Sequence, residues 1–335
     1  MTDKEIVKLS IEELNKDKRW METFSDYANK LNKNKIRNFF SRRKFVNKVK
    51  QFSVYSRLSY ATAEGSAVEY DIRFYGHSIA EVKINKAGVF IESKDDNKEK
   101  YKLSDGRYPE TLNREDHILW NSKKALAFKH FFMHNTEELK GKLKGPESKL
   151  ENQLLEMFKK NIKRIQPVIL SGAFFQMPTA LKGSEKDCVS NVGRGGRIDI
   201  LARITHNGSN RDNRLAVMEL KDENTEREPQ KYVIQQALKY ATFLAYLLRS
   251  KSGQEWYNIL GKKGPVPEHL DIDVISVMPS GSEDILKGNE SNEIDVRIDD
   301  GNIDLHTKLH LYSLFFDPDD ENYNFSGTLA SVLNN

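Results

Sequence analysis

Cysteine is almost absent. Cys188 stands alone in 335 residues, which excludes an internal disulfide and a cysteine-based zinc site. Long apolar runs are missing too: nothing approaches the roughly 18 residues a membrane-spanning helix needs. The N-terminus, MTDKEIVKLSIEELNK, is charged throughout and lacks the apolar core of a secretion signal. These absences point to a cytoplasmic protein with no membrane partner. Repeats and long low-complexity segments are also lacking. What is present, 38% hydrophobic and 30% charged residues, is the composition of a globular chain long enough for two domains.

Charge is unevenly placed. Residues 1–60 carry 15 Lys/Arg against 7 Asp/Glu, and residues 265–335 carry 3 against 15. Such asymmetry suggests a polyanion partner for the basic end, though solvated faces of unlike composition explain it equally well. From Lys30 to Arg57 there is no acid, and cations alternate with Phe39, Phe40, Phe45, Phe52 and Tyr55. That mixture suits phosphate contact and base stacking, but aromatics at helical spacing more often anchor a helix to its own core.

The first 60 residues read as helices. Residues 66–103 alternate apolar and polar around turn signals at Gly76-His77, Lys86-Ala87-Gly88 and Asp95-Asp96-Asn97, predicting a small antiparallel sheet. Asp116 to Asn135 reads as an aromatic-rich helix. Its His130 and His134, four apart, lack the further ligands a metal site needs. The run Gly141 to Pro146 is the best candidate linker. The expected organisation is an α+β N-terminal module over 1–140 and a second domain over 147–335. In the second, helix, strand, strand, strand, helix, strand predicts an α/β sheet with a crossover helix.

The chemistry concentrates between Gly195 and Leu248. Asp199 sits between Ile198 and Ile200 in one short apolar run. In the next, Arg214 to Lys221, period-two alternation puts Glu219 and Lys221 on one strand face with Leu220 on the other. If the two strands pair, two carboxylates and an amine converge. The helical pattern Lys231 to Arg249 follows, with Gln236 and Tyr240 adjacent on one face. The tripeptide Glu-x-Lys alone decides nothing, since it occurs five times, at Glu81, Glu92, Glu138, Glu147 and Glu219. Glu81–Lys83 is a real rival, with Asp71 ten residues before it. Only Glu219–Lys221 has both a preceding acid-bearing strand and a following helix with such a polar pair. Gly193, Gly195 and Gly196 lack the Lys-Ser/Thr ending and the helix of a phosphate loop.

The set Asp199…Glu219-Leu220-Lys221…Gln236-x-x-x-Tyr240 resembles the PD-(D/E)XK nuclease superfamily. GRIDIL followed by VMELK is similar to bacterial and archaeal DNA endonucleases and to anti-phage defence nucleases. The resemblance covers roughly residues 147–280, and Ile198 replaces the proline of the motif's name. It implies a restriction-endonuclease-like mixed central sheet flanked by helices, and Mg²⁺ or Mn²⁺ held by Asp199, Glu219 and Leu220. Lys221 would orient the attacking water or stabilise charge on the phosphate. Gln236 and Tyr240 would position the backbone or that water, and Glu151, with Glu147 second, would complete the acids. The implied function is DNA hydrolysis in restriction or anti-phage defence. A fold of this kind that has lost activity, and an RNase using the same site, remain the alternatives. Homo-oligomerisation is left open.

Overall fold

A computed structural model of the chain describes residues 1–33, 52–58, 68–85, 88–143, 146–160, 164–170, 172–183, 196–206, 213–222, 229–282, 292–299, 303–317 and 325–329. Helices α1 (Asp3–Lys16) and α2 (Arg19–Lys33) come first, then strands β1 (Phe52–Leu58), β2 (Val68–Phe74), β3 (His77–Asn85) and β4 (Gly88–Ser93). Helices α3 (Asn97–Lys100), α4 (Lys123–His134), α5 (Thr136–Lys140) and α6 (Pro146–Lys160) follow. Next come β5 (Ile165–Pro167), β6 (Ile169–Leu170), β7 (Ala173–Gln176), β8 (Ile200–Thr205) and β9 (Asn213–Leu220). The remainder is α7 (Gln230–Arg249), α8 (Gly253–Ile259), β10 (Leu270–Pro279), β11 (Glu293–Asp299), β12 (Asp304–Phe316) and β13 (Phe325–Ser326). The architecture is mixed α/β, with two sheets flanked by helices. No described helix is long and apolar enough to cross a membrane.

The chain divides into two compact units. The larger comprises Met1–Asn32, Leu155–Val168 and Gln176–Asn335. Its sheet has the order β11-β12-β10-β9-β8-β5, with β13 on β12. β5, β8 and β9 are antiparallel neighbours, whereas β9, β10 and β12 run parallel. Parallel neighbours need a crossover connection, and α7 with α8 supplies it between β9 and β10. Helix α7 is buried almost throughout; Lys231, Tyr232 and Arg249 are the exceptions. A helix covered on every side belongs inside a core. The polar pair Gln236 and Tyr240 is therefore interior as well, although sequence spacing alone suggests a separate, polar face.

Helices α1 and α2 account for the covering. A capping box starts α1: Thr2 N donates to Glu5 Oε2 (2.7 Å) and Glu5 N to Thr2 Oγ1 (3.3 Å). Trp20 and Phe24 of α2 meet Phe243 of α7 at ring distances of 5.5 and 4.9 Å. Trp256 Nε1 donates to the Phe24 carbonyl (3.0 Å), and Tyr246 OH to Asn15 Oδ1 (2.7 Å). The N-terminal helices thus pack with residues more than 200 positions away, an association local patterning cannot announce. Acids of the C-terminal strands find polar partners within the same unit. Buried Asp273 lies 2.6 Å from His206 and 3.6 Å from Arg214, and His310 bridges Asp271 (2.6 Å) and Glu293 (3.1 Å).

The smaller unit comprises Lys33–Leu154 and Ile169–Phe175, around the sheet order β4-β3-β2-β1-β7-β6. β1 to β4 pair antiparallel in sequence order, and the predicted antiparallel meander accounts for β2 to β4. Phe52–Leu58 is a strand, not the helix expected of the first 60 residues. Phe52 packs on Phe74 and Phe132 (6.0 and 6.4 Å), and Tyr55 is fully buried. Neither ring can stack on a base; core packing accounts for both. The rest of the basic stretch, residues 34–51, lies outside the described residues. The Gly141 to Pro146 run falls inside this unit, and the division comes within α6, between Leu154 and Leu155.

The β2–β3 turn is Tyr75-Gly76, both at positive φ (47° and 85°), as a two-residue hairpin of the favoured hand requires. A Cβ on Gly76 would also meet the Ser148 carbonyl at 2.0 Å. Beside the turn, burial together with Lys100 and Arg73 pushes the His77 imidazole down to about 4. Its folded value is below its unfolded one, so the neutral ring contributes stability above pH ~6.5 that is lost as pH falls toward 4. Thermal melts at pH 7 and pH 4.5 should show a smaller acid penalty for His77→Gln than for the natural protein. An equal penalty would remove His77 from the account.

Candidate metal centre and active site

The β8–β9 ladder sets the geometry. Its register ends with Ile200 paired to Met218, and Asp199 lies at the bend immediately before that pair. Asp199 also fixes its neighbour, because its Oδ2 accepts a 2.9 Å hydrogen bond from Leu220 N. Lys221 N donates to the Val277 carbonyl on β10 at 2.9 Å, and Lys221 Nζ reaches Glu219 Oε1 at 3.5 Å. Glu219 is 7% exposed. Buried carboxylates are costly unless paired or coordinated, and this one has a lysine at hand.

Helix α7 closes the same region. Gln236 and Tyr240 are both buried. Burial first, then the Glu219 and Asp199 charges, push the Tyr240 phenol well above its ordinary value, against the opposing hydrogen bond from Gly183. The Tyr240 oxygen accepts that bond from Gly183 N at 3.0 Å, and Lys239 Nζ donates to the Gly183 carbonyl at 3.3 Å. Tyr240 is thereby tied to the hairpin base that leads into Asp199, where Thr179 N donates to the Gly196 carbonyl and Ile198 N to that of Met177 (both 3.0 Å).

Close approach explains the glycine at 196. A Cβ there would lie 2.1 Å from the Tyr240 hydroxyl, so Gly196→Ala should cost ~1–3 kcal/mol through overpacking. Tyr240→Ala removes the hydroxyl and the ring carbons that the Cβ would also meet at 2.8 and 2.9 Å, and the double variant should be markedly more stable than the sum of the singles predicts. Denaturant unfolding checks this coupling; simple additivity would contradict the contact.

The other candidates have surroundings of their own. Glu151 belongs to the smaller unit, where Arg73 Nη1 lies 3.5 Å from its Oε2; Glu147 is exposed. The rival Glu81–Lys83 faces Glu92–Lys94 across β3 and β4. The two tripeptides exchange partners: Lys83 Nζ meets Glu92 Oε1 at 2.6 Å, and Lys94 meets Glu81. Their pattern is a cross-strand ion-pair ladder. His130 and His134 are exposed, with His134 Nδ1 2.9 Å from the His130 carbonyl. Cys188, Gly193 and Gly195 lie outside the described residues.

The donor chemistry fits a hard cation. Asp199 and Glu219 offer carboxylate oxygens, and Leu220 can offer its main-chain carbonyl. Among the described residues no three His, Cys, Asp or Glu form a ligand cluster. Mg²⁺ keeps several waters and is commonly held by one or two carboxylates plus substrate phosphates, which matches this donor set.

The chain matches no protein-family model, no curated protein and no solved structure. The residues themselves must carry the functional reading.

Sequence reasoning missed Lys239, Gly183 and Ser276. Ser276 is the register partner of Glu219 on β10 and is fully buried. Its signal was available: a hydroxyl within VISVM, where both faces of the strand are otherwise apolar.

Proposed function

We propose that the chain is a Mg²⁺- or Mn²⁺-dependent nuclease hydrolysing phosphodiester bonds of DNA, on a restriction-endonuclease-like core. The observation that carries this reading is the Asp199 carboxylate bonded to Leu220 N, beside Glu219, with Lys221 3.5 Å from Glu219. The chain order α6, β5, β8, β9, α7, β10, with β5-β8-β9-β10 adjacent in the sheet, supports the finer fold assignment. Restriction or anti-phage defence is the setting the sequence resemblance favours.

Asp199 and Glu219 would hold the cation, with the Leu220 carbonyl as a further ligand. Bound there, it would polarise the scissile phosphate and acidify the attacking water. The chain's own groups do the remaining work. Lys221 donates hydrogen bonds to the attacking water or to the phosphate oxygens that gain charge. The Asp199 bond to Leu220 N fixes the strand from which Glu219 and Lys221 project. Tyr240 and Gln236 wall the site from the helix side, and Tyr240 anchors the Asp199 hairpin.

Plasmid, linear DNA and RNA incubated with Mg²⁺ or Mn²⁺ test the assignment, comparing the natural protein with Glu219→Ala and Lys221→Ala. DNA cleavage by the natural protein alone is expected. Cleavage restricted to RNA would change the substrate, and no metal-dependent cleavage of either would overturn the proposal.

A further inference from the structure

The face that carries Glu219 also holds a buried hydroxyl that the proposed mechanism does not use. Ser276, in the middle of β10, is fully buried, and its Oγ has no hydrogen-bond partner among the described residues. Buried hydroxyls are nearly always satisfied, and an exception calls for a reason. β9 and β10 are parallel, with Ser276 and Glu219 as register partners. Register partners on neighbouring strands, about 4.8 Å apart, present their side chains to the same face. On β10 the flanking Ile275 and Val277 are fully buried apolar residues. The unsatisfied hydroxyl therefore stands next in line to a carboxylate assigned to the cation.

We infer that Ser276 is a positioning residue for Glu219. Its hydroxyl orients the Glu219 carboxylate, directly or through a water, when the site is loaded. This rests on the nuclease reading and extends it to a strand outside the sequence motif. A buried hydroxyl lacking a partner adds nothing to stability, and removing it, as Ser276→Ala does, is neutral or slightly stabilising. Its use would come with the cation, because partners of a ligand restrict its orientation and their removal typically weakens metal affinity or activity about 10–100-fold.

The test is Mn²⁺ binding by calorimetry on the full chain, together with melting temperature and plasmid cleavage, for the natural protein, Ser276→Ala and Ser276→Thr. Ser276→Ala should melt at or above the natural temperature, yet bind Mn²⁺ about 10-fold more weakly and cleave correspondingly more slowly. KM for DNA should be unchanged, and Ser276→Thr, which keeps the hydroxyl, should recover most of the affinity. Unchanged affinity in Ser276→Ala, with the natural protein binding and cleaving normally, overturns the role of Ser276 alone. A fall in melting temperature matched by a proportional fall in every other readout also overturns it, by making Ser276 merely structural. If the natural protein neither binds Mn²⁺ nor cleaves, this inference and the nuclease reading fall together.

Discussion

Lys221→Ala should retain divalent-cation binding and DNA binding while losing about 10²–10³-fold in kcat, the usual cost of removing one donor aimed at developing charge. Glu219→Ala should lose as much or more, but through a different step, because the variant lacks one of the two carboxylates assigned to the cation. The two variants therefore differ in a titration with Mn²⁺: Lys221→Ala saturates near the natural concentration, whereas Glu219→Ala needs far more. The contrast follows from geometry. Lys221 Nζ lies 3.5 Å from Glu219 Oε1 and projects from the same strand face, so it sits beside the ligand set without belonging to it. Equal Mn²⁺ requirements in the two variants would contradict that division of roles.

The second large effect concerns stability, in the smaller unit. Arg73 Nε donates to Asp71 Oδ2 at 2.8 Å, its Nη1 lies 3.5 Å from Glu151 Oε2, and its guanidinium stacks 3.8 Å from the Tyr55 ring centroid. Asp71 is wholly buried and also accepts from Ser78. Burial lowers the proton affinity of Arg73, and Glu151, Tyr55 and Asp71 more than reverse this, so the guanidinium stays charged. Arg73→Ala would leave two carboxylates buried without their shared cation. Breaking a buried ion pair from one side costs ~3–5 kcal/mol, and the stacked area is lost too. Hydrogen exchange of the β2–β3 amides should speed accordingly. The Arg73→Ala, Asp71→Ala, Glu151→Ala triple variant should recover part of the loss, since it strands no charge. Protection unchanged in Arg73→Ala would show the network to be ornamental.

Much of the candidate site was legible because it is local. Period-two alternation put Glu219 and Lys221 together, and the spacing of Gln236 and Tyr240 put both on one helix face. Convergence with Asp199 required only that two successive strands pair, as they do at Ile200–Met218. The same reasoning found the β2–β4 meander from its turns. What escaped it was long-range. Helices α1 and α2 cover α7 through Trp20, Phe24, Phe243 and Trp256, contacts no local period encodes. The strand Phe52–Leu58 was hidden in a run read as helical. Gly196 read as a failed phosphate loop, yet its small size is dictated by Tyr240, on a helix more than forty residues later. The Glu81 rival could be set aside only by the missing helix, whereas the structure supplies a positive reason in its exchange of ion pairs with Lys94 and Glu92. Ser276 needed the parallel β9–β10 register, fixed only once α7 crosses over.

Nicking of supercoiled plasmid by the natural protein and by Glu219→Gln, at equal melting temperature and with Mn²⁺ in excess, tests the central claim most directly. The exchange keeps shape and one acceptor oxygen but removes the charge assigned to the cation. Metal-dependent nicking by the natural protein, suppressed about 10³-fold in Glu219→Gln, is the predicted result. Equal nicking by both proteins, or none by the natural one, would contradict it.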